Sequence, residues 1–280
     1  MINSLTIFAA SPHVSIAADE IFTIAGISIT NSILLGILGY IVLIGVLLRA
    51  VYVVKRGKKR NFFDKLVLWG YEVLYETVVN IVGNKKIART LAPLPITLFF
   101  FIITQYYMGI LPFVGPVTLH DIPLFRGFMA DLNMTFGLAI VTLITAQIYA
   151  IKVHGFFGNA GRYLRNPLKD PAGAFEGILE IIAEFSRTVA LSLRLFGNVF
   201  AGEVLLIMVA FLTQYVATVA LVPFYLFELF IGGIQAYIFF MLTTVFIAIG
   251  LVSHNHDDSE ESPKSAHSSA DHAQPAVARE

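Results

Sequence analysis

The sequence predicts an all-α membrane protein: about five membrane helices, the last two forming a long, strongly tilted hairpin, plus an interfacial amphipathic helix. Three observations carry this. The chain is 57% hydrophobic and 14% charged, where soluble domains hold about 25% charged residues, and mean hydropathy is +0.77. Apolar runs at 33–53, 94–115, 133–151, 175–213 and 222–252 each reach about the 20 residues that a spanning helix needs. Finally, Arg194 lies inside the fourth run. A guanidinium stays charged at any accessible pH, and placing it in hydrocarbon costs about 2.5–3.5 kcal/mol on insertion scales. Such a group is paired, hydrated, or part of a device that moves charge.

At the N-terminus, Leu5–Ala10 is apolar but lacks the basic flank of a secretory signal, so cleavage after Ala9 or Ala10 is not expected. The run 33–53 is a plain span. Asn61–Val82 interleaves Phe62, Phe63, Leu66, Val67, Trp69 and Leu74 with Asp64, Lys65, Glu72 and Glu76. That pattern fits a helix lying at the interface or packed on the bundle. The runs 94–115, with Gln105 in its middle, and 133–151 are the next two spans.

The last two runs are longer than a bilayer requires. As one helix, 175–213 would extend about 58 Å, so a single crossing of an approximately 30 Å core needs a tilt of about 60°, beyond the usual range. Pro223 is placed to start the final helix, because a first-turn proline costs no hydrogen bond. A short Gln214–Leu221 link then makes the pair a tilted hairpin that needs a partner to lie along. Residues 1–253 form one polytopic membrane domain. Residues 254–280 are rich in Ser, Ala, Asp, Glu and His and read as a disordered acidic cytoplasmic tail. There, His254 and His256 beside Asp257 fit a solvated tail better than a metal site.

Orientation follows the Lys/Arg asymmetry. The first connection carries Arg49, Lys55, Arg56, Lys58, Lys59, Arg60, Lys65, Lys85, Lys86 and Arg89, and the third carries Lys152, Arg162, Arg165 and Lys169. The second has only Arg126. The N-terminus is therefore expected outside and the C-terminus in the cytoplasm. With no cysteine, disulfide and thiolate chemistry are excluded. No HExxH, GxSxG or GxxxxGK pattern supports an intramembrane enzyme, and no internal repeat supports a stand-alone transporter.

Helical geometry sorts the polar residues of the hairpin. Asn198 lies about 40° from Arg194 around the helix, Arg187 about 20° and Glu180 about 40°, making one polar stripe. Glu203 falls about 180° away. In the last helix, Glu228 and Gln235 share a face. Leu193, Gly197 and Ala201 recur at i, i+4 beside the arginine, where small residues permit close helix packing. A Glu–Arg pair gluing two helices is the structural alternative, but glue does not explain a polar stripe running both ways from a midpoint.

Leu193-Arg194-Leu195-Phe196-Gly197-Asn198, then Ala201-Gly202-Glu203 and Gln235-Ala236-Tyr237-Ile238-Phe239, resemble the subunit a family of the rotary ATP synthase membrane sector, over roughly residues 20–252. The resemblance implies a stator subunit with two offset half-channels beside a rotating ring of small hairpin subunits, each bearing one carboxylate. Peripheral-stalk subunits and the lipid bilayer are the other implied partners. Nucleic acid and cofactors are not expected, nucleotide chemistry belongs to other subunits, and a bacterial plasma membrane is implied. By position, Arg194 resembles the indispensable stator arginine, with Asn198, Glu203 and Gln235 near it. Glu228 occupies a position held by His or Glu in the family. Because both Glu203 and Glu228 are acids here, a histidine relay is not expected, and two facing carboxylates would share a proton. Asp131, Asn133 and Thr135 resemble residues lining the external approach. Glu180 resembles an acid on the cytoplasmic side, and Arg187 joins it on the stripe. Gln105 stands where Asn is common.

Overall fold

The computed structural model describes residues 18–24, 27–57, 61–111, 114, 118–119, 122–163, 171–213 and 216–252. The Leu5–Ala10 stretch, where cleavage is not expected, the basic residues Lys58, Lys59, Arg60, Arg165 and Lys169, and the 254–280 tail lie outside them. The described residues begin with a hairpin of β1 (Glu20–Ile24) and β2 (Ile27–Thr30), which the sequence reading did not anticipate. Then follow α1 (Asn31–Arg56), α2 (Phe62–Val82), α3 (Lys85–Leu91) and α4 (Pro93–Gly109). A second short ribbon, β3 (Thr118–Leu119) with β4 (Ile122–Pro123), and a 3₁₀ turn at Phe128–Ala130 precede the last three helices. These are α5 (Leu132–Tyr163), α6 (Pro171–Thr213) and α7 (Ala217–Val252).

The protein is an all-α membrane protein carrying two small ribbons. Among the described residues, α1, Leu132–Lys152 of α5, α6 and α7 are each long and apolar enough to cross a membrane. The pair α3–α4, bent by 42°, adds a fifth candidate span. Pro93 at the first turn of α4 gives up no helical hydrogen bond there, so the chain turns without an orphaned donor. Gly155 breaks α5 at φ 75°, a left-handed conformation that glycine adopts without a Cβ clash.

The amphipathic reading of Asn61–Val82 corresponds to α2. Leu74 and Val78 are buried and pack with Ala88, Ala92, Ile96 and Phe240, while Phe62 is 83% exposed and Trp69 62%. The last helix departs from expectation. It starts at Ala217, not at Pro223, which lies within it. A proline inside a helix deprives the carbonyl four residues earlier of its donor. Here that residue is Val219, 71% exposed near the helix end, where the loss is least consequential. The link between α6 and α7 is correspondingly shorter than 214–221.

α6 contains 43 residues, about 64 Å at the helical rise, and α7 runs back antiparallel along it. Leu191, Leu195 and Val199 of α6 join Ile102, Tyr106, Met129, Ala236 and Phe239 in the central core. That core holds the polar groups of α4, α6 and α7 in register.

Candidate functional site

α6 has two distinct faces. Leu191, Ser192, Leu195, Val199 and Gly202 are buried, at the i, i+4 and i+3 spacings of one helical stripe. Arg194 is exposed, as are Ala190, Gly197 and Ala201 beside it. A Cβ built on Gly197 would meet no atom within 4 Å. Among the described residues Arg194 has neither a hydrogen bond nor an ion pair. The arginine thus projects from a shallow, small-residue surface on the outside of the bundle.

The polar stripe read from helical angles does not stay together. Asn198 Nδ2 donates to Gln235 Oε1 across the α6–α7 seam at 2.9 Å. Gln235 itself is 1% exposed. Arg187 places its guanidinium 5.1 Å from the Phe246 ring centre. Of the four stripe residues, Arg194 alone has no partner among the described residues, since longer side chains reach neighbours that a helical wheel does not show.

No hydrogen bond joins Glu203 and Glu228 among the described residues. Glu228 is 4% exposed and accepts a 2.5 Å hydrogen bond from Tyr106 Oη of α4. Its carboxyl lies directly against Gly202, where any Cβ would collide with it. Glu203 Oε2 instead lies 3.7 Å from Arg126 Nε. The pair diverges because Gly202 lets α7 bring Glu228 tight to the α6 backbone, while the next side chain, Glu203, projects toward the 122–130 segment.

At one end of the bundle, Asp131 is buried and both its oxygens are engaged. Oδ2 accepts from Ser32 Oγ at 3.0 Å, and Oδ1 accepts from the Asn133 backbone nitrogen at 2.9 Å. The second bond is an N-cap for α5. Thr135, 0% exposed, pairs with Ser192 of α6 at 3.2 Å, and the Asn133 side chain is exposed. Asn31 Nδ2 donates to Pro123 O at 3.2 Å, so α1 anchors the same segment. Gln105 Nε2 donates to Gly36 O at 2.9 Å, a tether between α4 and α1.

Toward the other end, Glu180 is half-buried on α6. One turn on, Gln147 Nε2 lies 2.7 and 2.8 Å from the two carboxylate oxygens of Glu184. Gln147, Glu184, Arg187 and Thr243 border a cavity of about 50 Å³ between α5, α6 and α7. At roughly 10–15 Å³ per water, it has room for a few molecules. The Thr243 hydroxyl is buried without a partner among the described residues, as a hydrated site would allow.

Arg126, Tyr106, Glu184 and Ser32 were not identified as site residues from the sequence. For Arg126 a signal existed: it is the lone Lys or Arg in the second connection. For Tyr106 none did, since a tyrosine in an apolar run ordinarily reads as core.

The four candidate spans with the bent α3–α4 pair as a fifth, the long final hairpin and the exposed Arg194 beside Gly197 frame the comparison with known proteins. The family model described as ATP synthase A chain matches residues 33–248. The chain belongs to the ATP synthase A chain family. It is similar to ATP synthase subunit a of Acidothermus cellulolyticus, 29% identical over 276 residues that cover 95% of this chain and 96% of that one. The subunit a of Bacillus velezensis is 34% identical over 248 residues, 82% of this chain and 94% of the relative. That of Listeria monocytogenes is 36% identical over 198 residues, 68% and 77% respectively. Membership in the ATP synthase A chain family agrees with the apolar spans and assigns the chain to ATP synthesis and proton transport in a membrane.

Proposed function

We propose that this chain is the stator subunit of the proton-conducting sector, with two offset half-channels meeting a rotating ring of small carboxylate-bearing subunits at Arg194. The observation that carries the reading is the position of Arg194, charged, exposed and unpaired among the described residues, on a face lined by Ala190, Gly197 and Ala201. Small residues let another helix approach closely, and a permanent cation in an apolar setting calls for an anion. Among the described residues no acid of this chain supplies one, so the partner belongs to the ring.

Protons enter from the outside past Asp131, Asn133 and Thr135 and reach Glu203 and Glu228. They then neutralise a ring carboxylate. A neutral carboxyl can travel through lipid, whereas a carboxylate cannot do so cheaply. After nearly a full turn the ring site reaches the inner half-channel near Glu180 and Arg187, where Arg194 favours its ionised form. Arg194 also blocks direct passage between the half-channels, and Asn198 with Gln235 keeps the seam behind it rigid. Each proton gains about 2.3 kcal/mol per 100 mV, and this becomes torque because passage requires rotation.

The remaining features fit the same scheme. The length of α6 and α7 suits a tilted hairpin following the ring surface. The charge asymmetry favours an outside N-terminus and a cytoplasmic 254–280 segment on a single membrane domain. The membrane is a bacterial plasma membrane, the further partners are peripheral-stalk subunits, and nucleotide chemistry resides elsewhere in the complex. The test is Arg194→Ala in the assembled ATP synthase. ATP-driven pumping is abolished, with passive leak through the sector as the expected accompaniment. Normal coupled synthesis in that variant contradicts the scheme.

A further inference from the structure

Glu203 differs from Glu228, Asp131, Asp64 and Glu184 in how it is held. Glu228 is hydrogen-bonded by Tyr106, Asp131 by Ser32 and the Asn133 backbone, Asp64 by Arg49, and Glu184 by Gln147. Glu203 has no hydrogen bond among the described residues, and its buried Oε2 faces the buried Nε of Arg126. The Arg126 side chain is only 6% exposed and that of Glu203 is 30% exposed. Their 3.7 Å separation exceeds the range of about 2.7–3.2 Å for a direct N–H···O bond. Charge attracts the carboxylate, yet no bond need be broken when it takes or releases a proton.

Arg126 sits on a clamped segment. A Cβ on Gly109 would lie 3.2 Å from Gly127 Cα, so this segment rests closely on the end of α4. Met129 and Ala130 are 0% exposed, and Asn31 holds Pro123 from the other side. The guanidinium is therefore presented to Glu203 from a fixed backbone, and a buried guanidinium cannot shed its charge.

We propose that Arg126 is a positioning residue for proton uptake: its fixed charge holds the Glu203 side chain, as an open carboxylate, at the point where outside protons are accepted. The inference rests on Glu203 lying in the outer half-channel. It also separates the two acids, with Glu203 held by charge alone and Glu228 held by the Tyr106 hydroxyl.

The experiment measures ATP-driven proton pumping by the whole complex in inverted membrane vesicles, normalised to assembled complex. Arg126→Gln lowers pumping by about tenfold or more, the scale of disturbing a proton-transfer group. Arg126→Lys, which keeps the charge, restores most of it. On a Glu203→Gln background, Arg126→Gln adds less than about a twofold loss, because the two act as one unit. That double variant removes both charges of the Arg126–Glu203 pair, so its result stands even if Arg126→Gln alone assembles poorly. Equal pumping by the Gln and Lys variants, a second tenfold loss in the double variant, or full recovery there as for a structural ion pair would each overturn the proposal. Wild-type pumping by Glu203→Gln alone removes the half-channel reading beneath it. An impaired Glu203→Gln beside a fully active Arg126→Gln removes this inference only.

Discussion

The Asn198 side-chain nitrogen lies 2.9 Å from the Gln235 side-chain oxygen, bridging α6 and α7 one turn beyond Arg194. The bond ties Asn198 to α7 and stiffens the backbone that carries the arginine. Interhelical hydrogen bonds in membranes contribute about 0.6 kcal/mol on average and up to about 1.7. Gln235→Leu should therefore lower the thermal stability of the assembled complex by about 0.5–1.5 kcal/mol. Pumping should fall further than assembly does, which parallel measurement of thermal stability and ATP-driven pumping checks.

Gly202 is the contact point for the Glu228 carboxyl. Gly202→Ala should displace that carboxyl and reduce pumping by about tenfold, within the cost range of overpacking a tight interior. Shortening the acid relieves the collision, so Glu228→Asp placed on Gly202→Ala should recover part of the loss. Pumping that stays at the wild-type level in Gly202→Ala would show that the carboxyl does not need this position.

Tyr106→Phe removes the hydroxyl that donates to Glu228 while preserving ring volume. A hydrogen bond to a charged group contributes about 1.5–3 kcal/mol, so proton entry should slow by about tenfold, with assembly close to normal. Stopped-flow acidification of vesicles measures this directly.

At the start of α2, Asp64 Oδ1 accepts from Arg49 Nε of α1 at 2.8 Å. Together with the Asn61 backbone bond, this holds the Asp64 carboxyl below its ordinary value, despite the opposing effect of burial. The sign follows from linkage. A carboxyl depressed in the folded state contributes stability above its unfolded pKa, and that contribution disappears as pH falls through the lowered value. Protection against hydrogen exchange at the start of α2, taken relative to the intrinsic exchange rate at each pH, should thus hold from neutral pH into the ordinary carboxylate range and fall only at lower pH. Asp64→Asn should remove that pH dependence of the protection over the same window.

Much of the architecture was legible because hydrocarbon imposes a simple length rule. The run 33–53 corresponds to α1, 133–151 to the first part of α5, and 175–213 lies within α6. The start of α7 was misplaced because Pro223 carries a strong local signal that the exposed position of Val219 overrides. The β1–β2 hairpin went unseen, since its short alternating stretch adjoins a far stronger apolar run. Within the site, angles around a helix placed Arg194 and Glu203 on opposite faces, as the structure has them. They could not show that Arg187 reaches Phe246, that Glu228 is taken by Tyr106, or that Arg126 folds back onto Glu203. Those are contacts between distant segments, invisible to any periodicity within one helix.

The central claim is that the Arg194 face of α6 meets a ring subunit. The chain contains no cysteine, so engineered thiols have no background within it. Cysteines placed singly at Ala190, Gly197 and Ala201 should cross-link to the co-purified small hairpin subunit bearing a cysteine near its carboxylate, while Leu191, Leu195 and Val199 should not. Absence of cross-links from the exposed set, or equal cross-linking from the buried set, would contradict the account.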